Sequence, residues 1–75
     1  MNKKDFLVDL EDILQREEPC NASDVLDDYE EWDSLSKMAL MAFFDKSFGI
    51  KLSLKDFKDL KTVEDIIKLA GEKIQ

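Results

Sequence analysis

The 75-residue chain is 44% hydrophobic and 39% charged, a balance that supports a packed core and argues against disorder. Its length predicts one domain, residues 1–75. A domain of this size is too small to contain a deep catalytic cleft. The first 33 residues carry twelve acids and three bases, a net charge of −9, whereas residues 34–75 carry six acids and eight bases, or +2. This acidic field argues against nucleic acid as a partner and favours basic protein surfaces.

Cysteine and histidine usage exclude further classes of protein. The single cysteine, Cys20, cannot form an intrachain disulfide, and without histidine the chain cannot supply four zinc ligands of the usual kind. No run of about 18 apolar residues is present, so we expect no membrane span. These features predict a cytoplasmic protein.

A first helix is predicted from about Lys3 to Glu17 by apolar residues at helical spacing, namely Phe6, Leu7, Leu10, Ile13 and Leu14. It is expected to end before Pro19, because proline disfavours a helical residue ahead of it. Residues 18–33 show no sustained period and are rich in turn-forming residues. We interpret them as a long functional loop whose apolar side chains anchor it to the core: Val25, Leu26, Tyr29 and Trp32.

A second helix is predicted from a cap at Asp33 to about Phe48, followed by Gly49 where a left-handed residue often ends a helix. One side of this helix is expected to be buried and comprises Leu40, Met41, Phe44 and Phe48. The nearly opposite side is also apolar, so another helix covers it or partners dock on it; it comprises Leu35, Met38, Ala39 and Ala42. Filling irregular gaps in the core is the simpler alternative for Met38 and Met41.

Two capping-box patterns predict the remaining helices. Ser53 to Asp56 opens a short third helix through about Asp59, with Phe57 and Leu60 facing inward. Thr62 to Asp65 opens a last helix to about Lys73, whose final turn is weakened by Gly71 and whose apolar stripe is Val63, Ile66, Ile67 and Ala70. No alternating segment is long enough for a sheet, so the predicted fold class is all-α.

Ser34 is the candidate functional residue, because it lies where the acidic loop meets the start of the second helix. Free backbone N–H groups and the helix dipole favour a phosphate at such a position. The simpler alternative is that Ser34 belongs to the helix cap, with Asp33 as the better capping residue.

The segment WDSLSKMALMAFFDKSFGI, residues 32–50, resembles acyl carrier proteins. In that family Asp-Ser-Leu opens the second helix, and Phe-Gly-Ile follows at the offset of Phe48, Gly49 and Ile50 in this chain. The likeness extends to the helix order, the long first loop, Thr62-Val63 at the last helix, and the length, so it covers essentially the whole chain. It implies a four-helix bundle with a long first loop and a short third helix.

The resemblance also implies what the residues do. Ser34 would carry a 4′-phosphopantetheine arm, installed from coenzyme A by a phosphopantetheinyl transferase, and the arm's thiol would hold an acyl group as a thioester. Recognition by that enzyme would involve Asp33 and Leu35, with Trp32 and Met38 beside them. A pocket sheltering the acyl chain would draw on Met38, Leu40, Phe44, Phe57 and Ile66. The chain would act as a monomeric carrier in fatty acid or specialised acyl, lipid or polyketide biosynthesis, and would not itself be an enzyme.

The partners implied are acyl-transferring and condensing enzymes with basic docking patches. This chain departs from the family pattern where such partners bind, because Ser36, Lys37 and Ala39 occupy positions that often carry acids. The departure indicates either a divergent general carrier or one dedicated to a specialised pathway.

Other functions remain open. An aminoacyl carrier, of the D-alanyl or peptidyl kind, shares the fold and the arm, and Trp32 ahead of Asp-Ser fits that branch somewhat better. An unmodified helical interaction module would need only the apolar side of the second helix. A calcium-binding EF-hand is disfavoured because residues 24–35 contain no glycine, and a serine hydrolase because Ser34 has no histidine base.

Overall fold

The computed structural model describes all 75 residues and is mainly helical, with no strand. Four α-helices follow one another: α1 (Lys3–Leu14), α2 (Ser34–Phe48), α3 (Leu54–Lys58) and α4 (Val63–Leu69). Two short 3-10 helices, Leu26–Asp28 and Gly71–Lys73, lie in the first loop and near the C-terminus. The all-α prediction is therefore confirmed. None of the helices combines the length and apolar character that a membrane crossing requires.

Helix α1 ends three residues earlier than predicted. Gln15 adopts a left-handed conformation (φ 57°), and its N–H donates to the carbonyls of Glu11 and Asp12. The chain therefore turns at Gln15, well before Pro19 can act. At the N-terminus the Asn2 side chain accepts a hydrogen bond from the Asp5 N–H and caps the helix.

The first loop is fastened to α4 by backbone hydrogen bonds. Val25 and Thr62 form an isolated antiparallel bridge, flanked by bonds from the Leu26 N–H to the Lys61 carbonyl and from the Val63 N–H to the Asp24 carbonyl. Leu26 and Tyr29 are buried and Trp32 packs against the core, as predicted. The prediction for Val25 is wrong, because its side chain is 43% exposed and only its backbone is held.

The core lies between α1, α2 and α4, with α3 closing one side through Phe57. Leu40 and Phe44 of α2 are fully buried against Phe6 and Leu10 of α1, and the Phe6 and Phe44 rings meet edge to face at 6.2 Å. Every residue of the stripe predicted for α4 is buried, namely Val63, Ile66, Ile67 and Ala70. Helix α4 ends at Leu69, short of the predicted Lys73, because Gly71 adopts φ +58° and begins a separate 3-10 turn.

The second apolar side of α2 is left uncovered. Leu35 is 77% exposed and Met38 is 60% exposed, with Ala39 and Ala42 exposed beside them. The interpretation of Met38 as a core-filling residue is therefore wrong, whereas Met41 does pack against the core.

Candidate functional site

Ser34 is the first residue of α2 and is exposed to solvent. The helix begins there because Asp33, in extended conformation, accepts a hydrogen bond from the Ser36 N–H at 2.9 Å. The Ser36 hydroxyl in turn accepts the Asp33 N–H at 2.9 Å and donates to the Asp33 carbonyl. This reciprocal capping box uses Asp33 and Ser36, so the cap does not require the Ser34 hydroxyl.

Ser36 was not predicted to have this capping role, since capping boxes usually carry Glu or Gln at its position. The signal was present as Asp-x-x-Ser at residues 33–36. Ser36 is the one buried polar residue of the chain, 6% exposed, and its hydroxyl is fully engaged.

The start of α2 is electrostatically favourable to an anion. Its first turn contains no acidic residue, and the N–H groups there have no intrahelical acceptor except where Asp33 supplies one to Ser36. The capping carboxylate of Asp33 offsets part of the partial positive charge of the helix end, and the N–H groups of Ser34 and Leu35 remain available to an anion. Asp33 remains next to Ser34 as the nearest carboxylate in the sequence.

Trp32 connects this region to the core. Its ring lies 5.8 Å from that of Phe57, edge to face, and the Lys37 Nζ lies 5.4 Å from its centroid. The indole is half-buried, so part of it is available at the surface beside Ser34. Sequence reasoning singled out Trp32 but missed the contact with Lys37, because a cation–aromatic contact depends on side-chain conformation.

The five predicted pocket residues do not come together around an open cavity. Leu40, Phe44, Phe57 and Ile66 are buried in the packed core, whereas Met38 lies on the exposed side of α2. Two grooves lie elsewhere on the surface. A groove of about 490 Å³ lies between α1, the loop and α2, and one of about 970 Å³ lies along the acidic loop. None of the five residues lines either groove.

A polar cluster holds the loop just before Ser34. The Arg16 side chain, 10% exposed, stacks on the Tyr29 ring at 3.8 Å and forms an ion pair with Glu31 at 2.8 Å. The Tyr29 hydroxyl donates to Asp24 at 2.6 Å. Burial, followed by this hydrogen bond, raises the pKa of Tyr29, and the same bond lowers the pKa of Asp24.

Sequence reasoning missed this cluster, because Arg16 and Glu31 lie fifteen positions apart. Only the role of Tyr29 as an apolar anchor of the loop was predicted. Glu31 is three residues ahead of Ser34, so the cluster fixes the path by which the chain reaches α2.

Cys20 is buried, 4% exposed, and burial raises the pKa of its thiol. A buried thiol that resists ionisation is a poor nucleophile.

No family model, curated protein or solved structure matches this chain. What the site does therefore has to follow from its own residues and their surroundings.

Proposed function

We propose that this chain is an acyl carrier protein that bears a 4′-phosphopantetheine arm on Ser34. The observation that carries the proposal is an exposed serine at the first position of α2 whose hydroxyl the helix cap does not need. Its sequence context, Asp-Ser-Leu with Phe-Gly-Ile at the far end of the same helix, supports the same assignment. The four helices would then be the four-helix bundle of that family, with its long first loop and short third helix.

The residues around Ser34 fit a phosphodiester. The hydroxyl lies at the surface, where another enzyme can reach it, and the first turn of α2 offers the N–H groups of Ser34 and Leu35 beside the capping carboxylate of Asp33. When bound, the arm supplies a terminal thiol that holds an acyl group as a thioester. The chain itself presents the hydroxyl and holds the root of the arm.

Attachment of the arm is a phosphoryl transfer carried out by a separate transferase. The Ser34 Oγ forms a bond to the phosphorus next to the pantetheine of coenzyme A. The bond from that phosphorus to the bridging pyrophosphate oxygen breaks, and 3′,5′-ADP leaves. A base of the transferase takes the hydroxyl proton.

Recognition would use the exposed side of α2. Leu35 and Met38 offer apolar area to a partner, and Asp33 offers a charge beside the modified residue. The loop adds the acidic field that attracts enzymes with basic docking patches.

An aminoacyl carrier is the second candidate. Trp32 precedes Asp-Ser, and the predicted pocket residues Leu40, Phe44, Phe57 and Ile66 are packed together rather than arranged around a cavity. A small cargo that stays outside the core needs no such cavity. Mass spectrometry of the thioester isolated from cells would separate this candidate from a fatty acyl carrier.

Intact-mass measurement tests the proposal. The full chain is incubated with coenzyme A, magnesium and a broad-specificity phosphopantetheinyl transferase, and the wild type is expected to gain the mass of one arm. Ser34→Ala should gain none, whereas Ser47→Ala, which removes another exposed serine of α2, should behave as the wild type. An unmodified wild type would overturn the proposal and favour an interaction module, and a modified Ser34→Ala would overturn it by showing that the arm is attached to another residue.

A further inference from the structure

Lys37 is a cation without an acidic partner at the start of α2. The three salt bridges of the chain involve Lys3 and Arg16 but not Lys37. Its side chain is half-buried, and its Nζ lies 5.4 Å from the centre of the Trp32 ring. An ammonium group near an indole ring, with no carboxylate within salt-bridge distance, is suited to binding an anion.

Lys37 follows Ser34 by three residues in α2. Residues three apart on a helix lie on the same face, with Cβ atoms about 5–6 Å apart. Helical side chains also point back toward the N-terminus. The Nζ of Lys37 lies 5.4 Å from the centre of the ring of Trp32, which precedes Ser34 by two residues, so the side chain extends toward the N-terminal end of α2.

We propose that Lys37, held in place by Trp32, binds the phosphodiester through which the arm is attached to Ser34. This inference rests on the proposed function and adds a binding residue to it. The ammonium and the N–H groups of the first helical turn contact the phosphate oxygens together. The root of the arm is thereby held against α2 rather than left free to rotate.

The alternative is a purely structural role for Lys37, in which its aliphatic stem packs on the indole and its ammonium group binds no anion. The two roles respond differently to substitution. Lys37→Met keeps the apolar stem over Trp32 and removes the charge, whereas Lys37→Arg keeps the charge. Lys46→Met makes the same charge change at an exposed position near the other end of α2.

The test compares these variants with the wild type after the arm has been attached. Phosphorus NMR of the holo-protein is expected to show a shifted diester resonance in Lys37→Met, near-wild-type resonances in Lys37→Arg and Lys46→Met, and a smaller difference in about 1 M salt, where screening is strong. The KM of the transferase for Lys37→Met should rise about two- to five-fold, in the range of a partly exposed ion pair. Thermal unfolding of each variant establishes that it is folded.

The test distinguishes failure of this inference from failure of the proposed function. If the wild type accepts the arm but Lys37→Met gives the resonance and KM of Lys46→Met, the inference is wrong and the proposed function stands. If the wild type accepts no arm, both fall. If Lys37→Met does not fold, Lys37→Gln gives the same comparison, because it also removes the charge and exposes less apolar surface.

Discussion

Arg16 brings a charge into the protein interior, where charges are costly unless they are paired. Burial acts against its charge, yet the hydrogen bond and attraction of Glu31 raise the pKa of Arg16 above its ordinary value. Its Nε is buried without a hydrogen-bond partner, which adds to the cost. The cluster therefore depends on Glu31, while Glu31 itself is one-third exposed and can be solvated.

This asymmetry predicts unequal effects for the two partners. Glu31→Gln removes the closer of the two carboxylates and leaves the buried Arg16 charge with only the exposed Glu18 nearby, so it should lower the free energy of unfolding by about 1–3 kcal/mol. Arg16→Met removes the charge, keeps apolar contact with Tyr29, and should cost less. Urea denaturation measures both, with Glu18→Gln as the control, since Glu18 is 85% exposed and lies 3.5 Å from the same guanidinium. Equal effects for Glu31→Gln and Glu18→Gln would contradict the prediction.

At the scale of the helices, α1 and α2 end in the same backbone conformation but with different residues. Both end on a left-handed residue, Gln15 at φ 57° and Gly49 at φ 69°. That conformation costs roughly 1–2 kcal/mol for a residue with a Cβ but little for glycine. Helix α1 therefore carries backbone strain that α2 avoids.

Gln15→Gly should therefore stabilise the protein, by about 0.5–1 kcal/mol after the greater entropy of glycine in the unfolded chain is counted. The reverse change, Gly49→Ala, should destabilise it by about 1 kcal/mol. No atom lies within 4 Å of a Cβ built at Gly49, so the effect would come from the backbone alone. Chemical denaturation of both variants checks the signs, and a destabilised Gln15→Gly would show that its side chain contributes more than its backbone costs.

The same helix ends show what could be predicted from the sequence. The start of α2 at Asp33, its end at Gly49 and the caps of α3 and α4 follow from signals within four residues, and all were predicted. The end of α1 was not, because a glutamine gives no sign of a left-handed turn.

The candidate site also combines features that the sequence predicts with features that it does not. The position and exposure of Ser34 follow from the local helix signal. The contacts of Arg16 with Glu31 and of Lys37 with Trp32 depend on tertiary packing and side-chain conformation, which no short pattern encodes.

At the scale of the whole molecule, charge is distributed unevenly along the chain. The −9 of residues 1–33 is gathered in α1 and the loop, where like charges repel one another and oppose folding. The Arg16 ion pairs offset part of this repulsion.

We therefore expect the melting temperature to rise with added salt, and more steeply with magnesium chloride, as the acids are screened. A gain of about 1 kcal/mol would correspond to roughly 4–8 °C for a domain of this size. Glu30→Gln should raise the melting temperature at low salt and reduce the salt response. Glu72→Gln, which changes an exposed acid outside residues 1–33, is the control. A melting temperature that does not rise with magnesium would contradict the prediction.

Low pH should reduce the stability of the fold by protonating Asp24. Hydrogen bonds from Tyr29 and from the Asn21 backbone lower the pKa of Asp24, and the Lys61 and Thr62 N–H groups lower that of Asp65. A carboxyl group whose pKa is lower when folded stabilises the protein above its unfolded pKa of about 3.9, and this stabilisation is lost as the pH falls through the folded value.

Protonation of the other acids acts in the opposite direction near the isoelectric point, by relieving repulsion, so the comparison must be made between variants. Asp24→Asn should be less stable than the wild type at pH 7, and the difference should shrink as the pH is lowered from about 5 to 2. Asp27→Asn, at an exposed carboxylate that makes none of these hydrogen bonds, should show no such convergence. Urea denaturation across this range measures the gap, and a constant gap for Asp24→Asn would show that the amide, rather than the lost charge, causes the instability.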